Sequence, residues 1–288
     1  MMTLPRHHRG FTLIELIMVI VISGIMAAVV GVFIRHPVEG YMDLSRRAEL
    51  VDAAESALRL MARDVRRALP NSIRCDPDCS NGTAIELINS IAGVRYRSEP
   101  PGTPDQRLSF TSPDTAFNAV GVFSNISKPF TSSGERLVIY NLGAAGADAY
   151  DETTGVITPA ALSFSIDADP APPAGSGAED RITLSGAGHL FPFQSPRQRL
   201  FLIDGPISYI CNSASGHLRR YSGYSLQATQ PVPPGVGGVP LARHVSNCRF
   251  SYSAGTATRA GLVTLALTLT DSGESVRLLH QMHVDNVP

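Results

Sequence analysis

The 288-residue chain has no Gly-x-Ser-x-Gly elbow, no phosphate-cradling glycine loop and no His-Glu-x-x-His helix. Each of those spacings places a nucleophile, a backbone nest or two zinc ligands where its chemistry needs them, so nothing in the chain signals hydrolase, nucleotide or zinc-protease activity. The four cysteines include no paired Cys-x-x-Cys knuckle, which argues against a zinc site. Histidines 189, 217, 244, 280 and 283 are scattered. His280 and His283 are three apart on an expected strand and so face opposite ways. Asp76, Asp78, Ser80 and Asn81 faintly resemble a calcium loop, but Asn81 stands where the sharp turn needs glycine and Leu87 where the loop needs glutamate. The expectation is a protein with no enzymatic activity, no metal and no cofactor.

Charge of one sign is also lacking. Lys128 is the sole lysine beside 23 arginines, and the formal net charge is −1. Arg59, Arg63, Arg66 and Arg67 cluster on one expected helix, interleaved with acids, and read as a solvated face rather than a nucleic-acid site.

The deepest absence lies near the N-terminus, where residues 11–34 hold one ionisable side chain, Glu15. A helix of that length is roughly 36 Å long and spans a bilayer. Arg6, His7, His8 and Arg9 precede it with no acid among them, while Arg35, His36 and Glu39 follow, so the N-terminus is expected in the cytoplasm and everything after Arg35 outside. An ordinary secretory signal has a shorter apolar core closed by a small-residue cleavage site, which Ala27-Ala28 would supply only poorly. Glu15 is the exception inside the run. A carboxylate within hydrocarbon is costly and calls for a partner, unless it lies near enough to the headgroups to stay hydrated. Gly24, Ala27, Ala28 and Gly31 repeat at spacings of three and four, which suits close approach of neighbouring membrane helices or reflects the ordinary abundance of small residues there.

The string Gly10-Phe11-Thr12-Leu13-Ile14-Glu15-Leu16, after a short basic leader, resembles the cleavage and methylation motif of type IV prepilins and type II secretion pseudopilins. The resemblance implies that a prepilin peptidase cuts after Gly10 and methylates the new terminal amine of Phe11. It further implies that Glu15, then the fifth residue, meets the Phe11 ammonium of a neighbouring subunit, a pairing stronger in low dielectric than in water. Many major pilins carry a proline inside the span; none occurs here, which favours a minor subunit. Removing Arg6 and Arg9 with the leader would take the formal charge from −1 to about −3, further from what a DNA partner needs.

Beyond Pro37, which is expected to kink the helix as it leaves the membrane, a second helical pattern begins. Leu44, Ala48, Val51, Glu55, Leu58, Ala62, Val65 and Leu69 recur at helical spacing, with Leu50, Ala54, Ala57 and Met61 widening the stripe and Pro70-Asn71 ending it. Arg46, Arg47, Glu49, Asp52, Arg59, Arg63, Arg66 and Arg67 form the polar face. Residues 63–74 resemble the end of the long helix in minor pilins of the mannose-sensitive haemagglutinin pilus, the MshO-like group. Residues 201–211 and 218–221 resemble a further segment of that group, and nothing between 86 and 196 resembles anything familiar.

The remainder reads as strands. Residues 262–284 alternate around Asp271-Ser-Gly273 as a hairpin, and 206–211 with 217–221 form another. Residues 107–111, 136–140, 181–184 and 199–204 are further candidates. No helical crossover separates them, so the sheet is expected to be antiparallel, in one domain or two joined lobes. Residues 167–180 and 229–240 read as surface loops. Cys75, Cys79, Cys211 and Cys248 suit an oxidising compartment and allow three pairings. Joining neighbours is the preferred one: Cys75 to Cys79 pins the chain after the helix, and Cys211 to Cys248 closes a loop worth about 4 kcal/mol on chain-entropy grounds.

The sequence therefore suggests an α+β, pilin-like chain: leader 1–10, transmembrane helix 11–34, amphipathic helix 35–70 and a β-rich periplasmic domain 71–288. The resemblance implies a minor pilin of the haemagglutinin type, anchored in the inner membrane and then carried in the filament or at its tip. Its partners would be the prepilin peptidase, other major and minor pilins and the pilus assembly platform, and not nucleic acid. The alternatives are a type II secretion pseudopilin similar to the J component, or a tip adhesin binding glycans.

Overall fold

The computed structural model describes residues 10–256 and 259–288 in two units, Met1–Glu49 and Leu50–Pro288. Apart from Gly10, the leader lies outside the described residues. One helix, α1 (Leu13–Arg66), passes through Pro37 without ending and enters the second unit. The chain is thus a long apolar N-terminal helix followed by an antiparallel β domain, an α+β fold consistent with that of pilins.

From residue 50 onward the helical stripe is buried or half-buried apart from Glu55, whereas Leu44 and Ala48, which share its spacing, are exposed. Ala54, Ala57, Leu58, Met61, Ala62 and Val65 lie inside, while Glu55, Arg59, Arg63 and Arg66 face solvent. The helix ends at Arg66, four residues short of Pro70. The reason is tertiary: Leu69 N donates to Ile88 O at 2.8 Å and Ser90 N to Arg67 O at 2.9 Å, so residues 67–69 leave the helix to pair with a strand. Backbone groups that a further turn would have satisfied internally are satisfied by the sheet instead.

Thirteen strands follow among the described residues: β1 (Arg74–Asp76), β2 (Ala84–Tyr96), β3 (Ala116–Val120), β4 (Phe130–Thr131), β5 (Arg136–Val138), β6 (Phe164–Ala168), β7 (Asp180–Leu184), β8 (Arg199–Asn212), β9 (His217–Ser222), β10 (Val239–Ala242), β11 (Val245–Ser253), β12 (Gly261–Asp271) and β13 (Glu274–Val284). A larger sheet runs β10-β9-β8-β2-β3-β7-β6-β4, with β1 on β2 and β5 on β8; a smaller one runs β11-β12-β13. Every pairing is antiparallel. Both hairpins expected from the alternation are present, β12–β13 turning at Ser272-Gly273 and β8–β9 at residues 213–216. Residues 199–204 and 206–211 are one strand, β8, with its register on β2 shifting at Gly205–Ile203 opposite Asn89–Ser90.

Residues 107–111 are not a strand. Ser109 Oγ accepts from the Thr111 and Ser112 amides and Asp114 accepts from the Ser109 amide, so short polar side chains fold this stretch into turns in place of a ladder. The helix residues from Leu50 to Val65 share a core with Ile85, Leu87, Tyr209, Phe250, Leu265 and Leu267, and a second core lies around Tyr96, Phe117, Phe164 and Ile182. The 167–180 stretch is mostly the loop it was expected to be, but its end is anchored. Glu179 is 1% exposed and ion-paired to Arg97, while the buried Asp180 accepts from Lys128 Nζ at 2.6 Å and from Phe123 N at 2.6 Å.

Candidate functional site at the start of the helix

Thr12 stands immediately before the first helical residue, and Glu15 three positions on. Glu15 N donates to Thr12 Oγ1 at 3.3 Å, Thr12 N donates to Glu15 Oε2 at 3.3 Å, and the two side chains meet at 3.2 Å. This reciprocal pair is a capping box: the threonine and glutamate side chains satisfy backbone donors that the first turn leaves open. The spacing Thr-x-x-Glu before an apolar run is the sequence signature of such a cap, so Glu15 is not the isolated acid that the apolar run alone suggests. The negative carboxylate also suits the positive end of the helix dipole. Phe11 precedes the box and is 83% exposed.

From Leu13 to Ile34 every described side chain faces outward. A Cβ added at Gly24 or Gly31 would meet nothing within 4 Å, so the smallness of these residues serves no contact inside the chain. Among the described residues this is the one helix long and apolar enough to cross a membrane, with a mean hydropathy of 2.9 over its most apolar stretch. An exposed apolar surface of that length is stable only when lipid or other protein covers it.

Elsewhere two buried acids are bonded by side chains of the fold itself. Asp64, on the apolar face of α1, accepts from Tyr209 Oη at 2.6 Å and Arg220 Nε at 2.9 Å. Burial, then the bond to Asp64, pushes the Tyr209 hydroxyl far above the ordinary tyrosine range. Glu86 accepts from Arg74 Nε at 2.7 Å and Tyr224 Oη at 2.8 Å, and the Arg74 guanidinium lies 3.6 Å over the Tyr150 ring. Burial raises the Glu86 carboxyl above its usual range despite those two donors. A perturbed buried acid can mark a catalytic group; here both oxygens are occupied by the fold itself.

The remaining residues singled out in the sequence are placed as follows. Cys75 is bonded to Cys79 and Cys211 to Cys248, with Cα atoms 4.9 and 6.4 Å apart. Asp78 accepts from the Ser80 and Asn81 amides in a tight turn, and the Ser80 bonds foremost hold its carboxyl below the usual range. Neither Asp64 nor the capping role of Glu15 was read from the sequence.

Residues 5–31 match the family described as the prokaryotic N-terminal methylation motif. No curated protein and no solved structure gives a significant match to the chain.

Proposed function

We propose that this chain is a prepilin, cut after Gly10 by a prepilin peptidase and N-methylated at Phe11, whose mature form is a minor pilin. The carrying observation is the methylation motif at residues 5–31 heading an outward-facing apolar helix that continues into an antiparallel β domain. The protein is held in the inner membrane by residues 11–34 with its N-terminus cytoplasmic and its β domain periplasmic. It then joins other major and minor pilins on the assembly platform to assemble or prime a type IV pilus of the haemagglutinin type. Its work is assembly and not catalysis. In a filament, Glu15 exchanges part of its capping contact for the Phe11 ammonium of a neighbour, and Gly24 and Gly31 admit a neighbouring helix closely.

Intact and N-terminal peptide mass spectrometry on membrane-extracted protein, with and without the host's prepilin peptidase, tests this. The expected result is a chain beginning at N-methylated Phe11 only when the peptidase is present. Retention of residues 1–10 in both strains, or a cut near Ala28, overturns it.

A further inference from the structure

Strand β2 lies in the middle of the larger sheet, yet part of one edge is open. On one side β8 pairs with it as far as Arg95. On the other, β1 covers residues 84–86, residues 67–69 cover Ile88 and Ser90, and β3 resumes pairing only at Arg95 and Tyr96. Among the described residues no strand or bridge lies against residues 91–94 on that side, about 13 Å of backbone. Tyr96 N donates toward the β8 side, to Gln198 O at 2.8 Å. Antiparallel alternation therefore turns the N–H and C=O of Gly93 toward the open side, where Gly93 is exposed.

The space beside this edge is a cleft of about 660 Å³ lined by Arg67, Asn125 and residues 90–93, and it adjoins two smaller clefts lined by Arg66, Arg95, Arg199 and Phe201. Four arginines thus surround one short edge. Arg66 and Arg67 have no side-chain partner among the described residues, and Arg95 donates only to the neutral Gln198 Oε1, at 2.9 Å. The one carboxylate on the rim, Asp285, already accepts from Arg199 at 3.3 Å; His283 is the other titratable group there. Arg95 and Arg199 also stand directly opposite in register, a like-charge pair of which only Arg199 has a carboxylate partner, Asp285. Arginines in a last helical turn suit the helix dipole, which accounts for Arg66, and Asp285 with Val287 O accounts for Arg199, but neither accounts for Arg95.

We propose that residues 91–94 are a docking edge for an extended acidic segment of another protein chain, which adds as a short strand to β2 with its carboxylates on Arg67 and Arg95. Main-chain bonds to Gly93 supply the register and the arginines supply selectivity and rate of encounter. The proposal does not depend on processing at Gly10.

The test uses the full chain in detergent micelles and three peptide probes: acetyl-Glu-Val-Glu-Val-Glu-amide, its lysine counterpart, and the acidic peptide with alternate backbone nitrogens methylated. The acidic peptide is expected to bind saturably and more weakly as salt rises, and to protect the Gly93 amide from hydrogen exchange. The lysine peptide should not bind, and backbone methylation should weaken binding roughly tenfold, as should the double variant Arg67→Ser/Arg95→Ser, whose near-ultraviolet circular dichroism matches the parent. Absence of acidic-peptide binding overturns the proposal. So does equal binding of the methylated peptide, which would make the cleft an electrostatic surface only, or protection located elsewhere.

Discussion

The Tyr209 hydroxyl donates to the Asp64 carboxylate at 2.6 Å, joining the apolar face of α1 to β8 through one buried bond, and Arg220 of β9 donates to the same oxygen at 2.9 Å. Replacing Asp64 by alanine leaves a buried hydroxyl and a guanidinium without their acceptor. The expected cost is about 3 kcal/mol, against about 1 kcal/mol for Tyr209→Phe, which removes a donor but leaves Asp64 its arginine. Denaturant midpoints of the two variants and of the double variant measure the coupling.

Stability on the acid side follows from Glu179. Burial opposes its ionisation, but the donors on Arg97 and Asn118 prevail and hold its carboxyl below the usual range. A carboxyl lowered on folding contributes stability that is complete above the unfolded value of about 4.3 and is lost as pH falls through the folded value. Melting temperatures should therefore fall below about pH 4, and Glu179→Gln should make that fall shallower while lowering the plateau at neutral pH.

How far the fold was legible follows from the same residues. The 3.6-residue stripe of α1 and the two-residue alternation of β12 and β13 were plain because burial of one face imposes those periods on sequence. Asp64 was not, since an acid among arginines 59, 63, 66 and 67 looks like one more solvated charge until β8 and β9 deliver its partners. The early end of α1 at Arg66 depends on a strand nearly twenty residues away, which local propensity does not carry. Ser109 and Asp114 undid the expected strand at 107–111 through local bonds that alternation cannot reveal. At the N-terminal site both the motif and the Thr-x-x-Glu spacing are legible as strings, but the spacing alone does not decide whether the Glu15 carboxylate turns back to the Thr12 amide or outward to a partner.

The capping contact of Glu15 can be separated from the pairing proposed for it in a filament. Glutamine completes a capping box as well as glutamate does but carries no charge. Glu15→Gln should therefore keep the first turn intact by hydrogen exchange yet fail to enter filaments, scored by shearing and immunoblot. Thr12→Ala should do the converse, speeding exchange in the first turn by a loss of about 1 kcal/mol while leaving the charge in place. Normal assembly of the glutamine variant would reduce Glu15 to a cap.

Removing the Cys211–Cys248 bridge, 37 residues apart in sequence, should cost about 4 kcal/mol, whereas removing Cys75–Cys79 should cost about 2 kcal/mol because its loop is so short. Unfolding curves of Cys211→Ser/Cys248→Ser and Cys75→Ser/Cys79→Ser in the full chain check the order; a larger loss from the short loop would contradict it.

The ion pair between Lys128 and Asp180 involves the chain's single lysine, and that side chain is only 24% exposed. Reagents that acylate or cross-link primary amines therefore find one encumbered target on the whole folded surface besides the terminal amine. If the proposed fibre forms, amine cross-linkers have only Lys128 and the terminal amine of this chain through which to reach a neighbour, while reagents directed at carboxylates or guanidinium groups have many sites. Amine labelling becomes in turn a nearly background-free reporter of whether the terminus is accessible.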